Sequence, residues 1–198
     1  MWIKGDVLLK DIEKRINFWD DNHLAYQQGD SIKVPFDKHI HLFDNKKVLE
    51  IGPGEGRQYE VVCDIVKEYA IADISQKVLN RPLYNNIKIK LRIESYLDRF
   101  EDKFDVIHFW YVLHHVLPEE LSMFIDFLYF HLDVSGIVMF NTPYLDYDRG
   151  NYLPNGIMTS VFSIKDIEDV FVGKFEFIIK DKSNWRNSNG YLVIGRKI

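Results

Sequence analysis

Three stretches of the 198-residue sequence carry residue types whose spacing suits chemistry. The first, VLEIGPGEG, sets Gly52, Gly54 and Gly56 directly after an apolar run and before a helical pattern. Glycines at a strand-to-helix turn let the backbone approach a ligand with no side chain between, and the helix start offers N–H groups to polar or anionic atoms. A tight turn with packing glycines is the alternative, and the flanking strand and helix favour the ligand. A dinucleotide-binding GxGxxG would place its third glycine at position 57, where Arg57 stands. In the second stretch, Ala72, Asp73, Ile74 and Ser75 end another apolar run, about 20 residues past the glycine turn. A carboxylate at that strand end can accept from two vicinal ribose hydroxyls; capping the next helix is the alternative, and Ser75 is an equally good cap. In the third, His114 and His115 follow a further apolar run, and imidazole is the side chain best suited to take a hydroxyl proton near neutral pH.

The elements that must position these residues alternate along the chain. Residues 48–51, 69–72, 87–91, 106–109 and 137–140 read as short strands, several nearly continuous in apolar character, as strands buried on both faces are. Val62, Ile65, Val66 and Tyr69 follow helical spacing, with Tyr69 open to membership of the next strand. Leu121, Phe124, Ile125 and Leu128 repeat that spacing after Pro118, which suits a first helical turn. Strands separated by helices pair in parallel. Residues 175–180 and 191–195 read as strands joined by a polar segment with Asn184, Asn187, Asn189 and Gly190, so they should pair antiparallel at a sheet edge. The expected fold is α/β, a three-layer, Rossmann-like, mostly parallel seven-stranded sheet with an antiparallel C-terminal hairpin. It forms one domain: residues 1–44 are a helical cap marked by Leu8, Ile12, Ile16 and Trp19, and residues 45–198 are the core.

Composition narrows the partners. The chain is 46% hydrophobic and 28% charged with a formal charge of −5, which gives no global attraction to nucleic-acid phosphates or anionic lipid. Lys88, Lys90 and Arg92 alternate along the third strand, and a solvent-facing edge explains them. No run approaches the roughly 18 apolar residues of a membrane span. The single cysteine, Cys63, excludes an internal disulfide, and the charged N-terminal stretch MWIKGDVLLKDIEK does not read as a signal peptide. The expectation is a cytoplasmic protein with a small-molecule partner, no nucleic acid and no membrane.

Together, VLEIGPGEG, YAIADIS, FDVIHFWYVLHHV and SGIVMFNTPY resemble, in that order, the class I S-adenosylmethionine-dependent methyltransferases over residues 47–144. The resemblance implies S-adenosyl-L-methionine as cofactor and S-adenosyl-L-homocysteine as product. It implies that Glu50, Gly52, Pro53, Gly54 and Gly56 line the methionine and ribose side, that Asp73 holds the ribose hydroxyls, and that Ile74 lies against the adenine. The family's adenine contact after the third strand falls on Leu91, Arg92, Ile93 and Glu94; Arg92 departs from the usual Asp, which leaves the adenine amine to Glu94 or to backbone at Ile93 and Glu94. Phe109 and Trp110 approach the methionine part. FWDDNHLAY is similar to a stretch that many members fold over the cofactor, which implies Tyr26 as a contact, with an aromatic cap-to-core interface as the alternative.

A methyl transferred from a sulfonium needs an aligned acceptor and, for a hydroxyl, a base. His115 and His114 are the candidates, with a structural role for one of them as the alternative. His23, His39 and His41 read as solvated or packed, and His108 as a core residue. The Asn/Asp-Pro-Pro-aromatic motif of amino-methylating enzymes is not at the fourth strand, where Phe109, Trp110, Tyr111 and Val112 stand. Aromatics and Asn141 at the ends of the fourth and fifth strands make a poor site for a hard cation, so no metal is expected. Residues 142–162 read as a long lid-like segment leading to a helix capped by Ser163 and Asp166, and with the cap they should set acceptor specificity. The leading expectation is O-methylation of a sugar or hydroxylated metabolite. A protein or peptide side-chain methyltransferase and a non-catalytic cofactor-binding partner subunit are the alternatives.

Overall fold

The computed structural model describes residues 13–21, 38–144, 151–152, 158–160, 162–185 and 188–198. A helix, α1, is described over residues 13–21. After it come β1 (Lys47–Ile51), α2 (Arg57–Val62), β2 (Glu68–Asp73), α3 (Gln76–Leu79), β3 (Ile89–Arg92), β4 (Phe104–Phe109), α4 (Leu121–His131), β5 (Leu132–Tyr144), β6 (Asn151–Tyr152), β7 (Met158–Thr159), α5 (Ile164–Phe171), β8 (Phe175–Trp185) and β9 (Ser188–Lys197). Seven strands form one sheet in the order β3-β2-β1-β4-β5-β9-β8, and β6 and β7 pair separately. The first five are parallel neighbours, whereas β9 runs antiparallel to both β5 and β8.

Side-chain alternation along the central strands splits the apolar residues into two cores, one on each face of the sheet. Leu49, Ile51, Ile107, Phe109, Val138 and Phe140 pack with Phe124, Leu128, Ile167 and Phe171 of α4 and α5. Val48, Val106, Trp110 and Met139 pack on the other face with Val62, Val78, Leu79 and Tyr84, from α2, α3 and the 3-10 turn Pro82–Tyr84. This is the expected three-layer arrangement, with the strand ends that carry the glycine turn, Asp73 and Trp110 on one edge.

Several local expectations change. The helix after the glycine turn ends at Val62, so Ile65 and Val66 lie outside it and Tyr69 is in β2. β5, β8 and β9 run well beyond the expected segments. Asn189, expected in a connecting segment, pairs with Tyr144 on one side and Asn184 on the other, because a strand flanked by two partners gains ladder hydrogen bonds that outweigh weak β-propensity. The segment 142–162 is not wholly a loop, since it contains the end of β5 and the β6–β7 pair. The Ser163 cap forms as expected: its hydroxyl accepts from Asp166 N–H and the Asp166 carboxylate accepts from Ser163 N–H. β3, with its Lys and Arg residues, is a sheet edge. Among the described residues no helix is long and apolar enough to cross a membrane. Helix α1 is anchored by Arg15, which donates to both oxygens of the buried Glu120 at 2.8 and 2.9 Å.

Candidate active site

The turn after β1 is built around left-handed backbone, with φ of +68° at Gly52, +50° at Gly54 and +81° at Gly56. Only glycine adopts these angles without strain. The first and second glycines have different surroundings. A Cβ at Gly52 would come within 2.6 Å of Val112 Cγ2, in the turn after β4, so this position is glycine for packing as well as conformation. A Cβ at Gly54 would meet nothing nearer than the Gly52 carbonyl at 4.0 Å, so open space lies over the middle of the turn. The loop is held from below: Tyr84 Oη lies 3.1 and 3.0 Å from the Pro53 and Gly54 carbonyls, and Arg81 donates to the Gly54 carbonyl at 3.0 Å. Arg57, in place of a third dinucleotide-type glycine, pairs with Glu55 at 2.7 Å.

Asp73 ends β2 and is partly buried. Its Oδ1 accepts from Ser75 N–H at 2.8 Å. Burial pushes its carboxyl up to about 7, against the opposing N–H groups of Ser75 and Ile74 and with a further push from Asp20. The capping of α3 falls to Ser75, whose hydroxyl accepts from Val78 N–H. Ser75 also donates to Asp20 Oδ1 at 2.6 Å, and Lys77 N–H reaches the same oxygen, so α1 is tied to the rim of this site. Ile74 is half-buried and Ile93 is buried beside it, its N–H donating to the Asp73 carbonyl. Glu94 is exposed and its carboxylate pairs with Arg92 at 3.1 Å.

At the end of β4 the expected pair separates. Phe109 is fully buried, stacked on Phe140 at 4.7 Å and edge-on to Phe124, so its ring belongs to the core and only its backbone borders the site. Trp110 points to the opposite face, 6% exposed, and the pairing of Ile51 with Phe109 sets it level with Gly52. Glu50 is 1% exposed and accepts the Tyr69 hydroxyl at 2.7 Å. Burial and the charge of Asp73 hold its carboxyl up at about 8, against the Tyr69 hydrogen bond. His108 is a hydrogen-bonded core residue, as expected.

Beyond β4, Tyr111 takes a left-handed φ of +56°, and its N–H donates to Oδ1 of the buried Asn141 at 2.7 Å. That turn leads into Leu113–His115, a 3-10 turn that brings the rings of His114 and His115 to 3.8 Å, with Trp19 of α1 edge-on to His115 at 4.8 Å. Neither Nδ1 has a hydrogen-bond partner among the described residues. Burial lowers His114 to about 4 and His115 well below its usual range, so both imidazoles are neutral near pH 7. Ser160 N–H donates to the His114 carbonyl at 2.7 Å, and the Ser160 hydroxyl is buried without a partner among the described residues. His39 is half-buried and His41 exposed. Tyr26 and His23 lie outside the described residues. Among the described residues no three His, Cys, Asp or Glu side chains gather to hold a metal ion. Tyr84, Arg81 and Ser160 are site residues that no motif marked, whereas Asp20 lies in FWDDNHLAY and Asn141 in SGIVMFNTPY.

The family described as a methyltransferase domain matches residues 20–173. No curated protein sequence matches. Among solved structures, the fold is similar to the 1,6-didemethyltoxoflavin N1-methyltransferase of Burkholderia thailandensis bound to 1,6-didemethyltoxoflavin and S-adenosylhomocysteine. The TM-score is 0.73, with 16% identity over 98% of this chain and 88% of that one. It is also similar to the magnesium protoporphyrin IX methyltransferase of Synechocystis with bound S-adenosylhomocysteine, at TM-score 0.69 and 13% identity over 95% of this chain and 100% of that one. A third is the N-methyltransferase NodS of Bradyrhizobium japonicum in complex with S-adenosylhomocysteine, at TM-score 0.62 and 14% identity over 96% and 98%. At these identities the likeness is one of fold, and with the family match over most of its length the chain belongs to the methyltransferase domain family, built on the class I fold.

Proposed function

We propose that the protein transfers the methyl group of S-adenosyl-L-methionine to a small polar acceptor, most favourably a hydroxyl, and releases S-adenosyl-L-homocysteine. The observation that carries this reading is the open space over Gly54 in a turn that follows β1 while Asp73 ends the neighbouring strand β2, on the strand edge where such sheets bind ligands. The residues present fit the cofactor. Backbone at Gly52, Pro53 and Gly54 meets its methionine and ribose side, Asp73 accepts from the ribose hydroxyls, and Ile74 and Ile93 offer an apolar surface to the adenine. The Glu94 carboxylate is engaged by Arg92, the Ile93 N–H by the Asp73 carbonyl and the Glu94 N–H by the Asp98 carboxylate, so an adenine amine bound there would share or displace one of these partners. Trp110 and Glu50 flank the methionine end.

When bound, the cofactor supplies a methyl carbon on a sulfonium, an excellent leaving group, so the protein's work is alignment and proton removal. His114 and His115 stand past β4 as neutral imidazoles with unpartnered Nδ1 atoms. With the cofactor and acceptor bound, one of them would take the proton that the acceptor hydroxyl gives up on methylation. Trp19, the histidine pair and Ser160 suit an acceptor that carries hydrogen-bonding groups and no charge, since a buried charge would lack a counter-ion there.

Calorimetry with S-adenosyl-L-homocysteine, followed by an acceptor screen for methyl transfer, tests the reading. A folded protein that binds neither cofactor form sinks it, and binding without turnover on any acceptor class indicates a binding subunit. With the acceptor in hand, His115→Ala or His114→Ala should lower kcat by about 100-fold at the responsible residue and leave cofactor affinity unchanged. At saturating cofactor, kcat should fall as pH drops through about 4 if His114 is the base, well below the ordinary histidine range. If both variants keep full turnover, alignment alone drives the transfer.

A further inference from the structure

A buried hydrogen-bond chain crosses three adjacent strands beneath the glycine turn. Trp110 Nε1 donates to His108 Nδ1 at 2.9 Å, His108 Nε2 lies 3.0 Å from Tyr69 Oη, and Tyr69 Oη donates to Glu50 Oε2 at 2.7 Å. Its direction is fixed from the Trp110 end. An indole N–H can only donate, so His108 Nδ1 must accept, and the ring proton of the neutral imidazole must sit on Nε2. Nε2–H then donates to Tyr69 Oη, whose single proton goes to Glu50. Burial holds His108 down at about 3, so this one-proton state persists across the physiological range. His108 is fully buried, with Phe43 edge-on to it at 5.3 Å. The other titratable groups whose charge acts on Glu50 or Tyr69 are Asp73 at the end of β2, Tyr84 beneath the turn and Cys63.

The two ends of the chain are the informative part. Glu50 lies two residues before Gly52 on β1, and Trp110 lies level with Gly52 at the end of β4, so the chain joins side chains that flank the first loop glycine from two strands. Glu50 and His108 are direct register partners, and Tyr69 reaches them from β2, where it is paired with Val48. We propose that His108 is a positioning residue for the cofactor site, locking Trp110 and, through Tyr69, Glu50 into one hydrogen-bonded unit that fixes the walls at Gly52. The inference rests on the cofactor reading above and goes beyond it, because a residue that never touches the ligand sets the orientation of two that border it. Such chains are stronger than their separate bonds, since each donor is polarised by the next.

The test combines calorimetric titration of the whole protein with S-adenosyl-L-homocysteine and 15N NMR of the His108 ring and the Trp110 indole. Tyr69→Phe removes one hydroxyl and keeps the ring, so it preserves packing while cutting the chain between His108 and Glu50. It should weaken S-adenosyl-L-homocysteine binding about 3- to 10-fold, the range for one net hydrogen bond, and shift the Trp110 indole resonance two links away. His108→Phe should weaken binding more. His108→Asn, whose amide oxygen can stand where Nδ1 stood, should recover part of that loss. The His108 nitrogen shifts should report a protonated Nε2 and a bare Nδ1 from pH 5 to 8. A protonated Nδ1 overturns the proposal whatever the ligand does. So does a Tyr69→Phe variant that binds within twofold of the unaltered protein with an unmoved indole, even if its melting temperature falls, because that is the signature of a packing role alone. Failure of the unaltered protein to bind would instead strike the cofactor reading itself, and the proposal with it.

Discussion

At the β1–β2 end of the sheet's carboxyl edge, Glu50, Tyr69, Asp73, Ser75 and Tyr84 all have hydrogen-bond partners within the protein. Past the ends of β4 and β5, the Nδ1 atoms of His114 and His115 and the Ser160 hydroxyl are buried with none among the described residues. A buried polar group left unpaired costs about 1 to 3 kcal/mol, so the second region carries a standing penalty that the first does not. Under the proposed function, the difference fits a different mode of binding to each region. Around the glycine turn the shape is complete before any ligand arrives, as suits a cofactor that is the same in every cycle. Around the histidine pair an acceptor with hydrogen-bonding groups would complete what the protein leaves open.

The largest expected effect breaks the preformed region. Gly52→Ala would force a Cβ to within 2.6 Å of Val112 Cγ2 at a φ of +68°. Left-handed strain and overpacking together should cost about 2 to 5 kcal/mol, read as a lower denaturation midpoint. Gly54→Ala is the control. Its Cβ enters open space, so only the strain of about 1 to 2 kcal/mol should appear in stability, while S-adenosyl-L-homocysteine affinity should fall as steeply as in Gly52→Ala. Undiminished affinity in Gly54→Ala would mean that the space over the turn is not where the cofactor lies.

Asp73→Ala should weaken cofactor binding by about 1.5 to 3 kcal/mol, the range for hydrogen bonds to a charged group. The pH dependence has a defined sign. Burial raises the Asp73 carboxyl from 3.8 to about 7, so in the free protein its ionisation costs stability as pH climbs between those values. Ribose hydroxyls donate only to the carboxylate's lone pairs and favour the ionised form. Affinity should therefore rise as pH passes upward through about 7, and Asp73→Asn, which cannot ionise, should flatten that rise. A flat profile in the unaltered protein would show that Asp73 does not meet the ribose.

What the sequence disclosed and what it withheld divide by distance along the chain. The glycine turn, Asp73 and the Ser163–Asp166 cap rest on contacts within a few residues, where residue type and spacing suffice. Phe109 is a case where period-2 alternation already held the answer, since it shares a face with Ile107 and the helices α4 and α5, while His108 and Trp110 share the other. The remaining site residues depend on long-range contacts. Tyr84 supports a carbonyl about 30 positions away, Asn141 holds the Tyr111 turn from the next strand, and Arg15 meets Glu120 across 105 positions. Ser160 is brought to His114 by one backbone hydrogen bond from beyond the β6–β7 pair. No local pattern encodes such meetings, because the fold creates them.

The smallest effect is also the sharpest test of the contrast between the two regions, because its sign is unusual. Most buried substitutions destabilise, yet the Ser160 hydroxyl is 2% exposed and has no partner, so its desolvation is an uncompensated cost in the free protein. Ser160→Ala removes that hydroxyl and leaves the backbone hydrogen bond to the His114 carbonyl in place. Stability should stay level or rise by up to about 1 kcal/mol in a denaturant melt. Cofactor affinity should not change, since Ser160 meets the turn past β4 at His114 and not the glycine turn or Asp73. The KM for the acceptor should rise severalfold, because the hydroxyl is the group a bound acceptor would engage. A clear loss of stability would mean that the hydroxyl has a partner in solution, and an unchanged KM would place the acceptor elsewhere. Either result would remove Ser160 from the unfinished region and leave the histidine pair alone to define it.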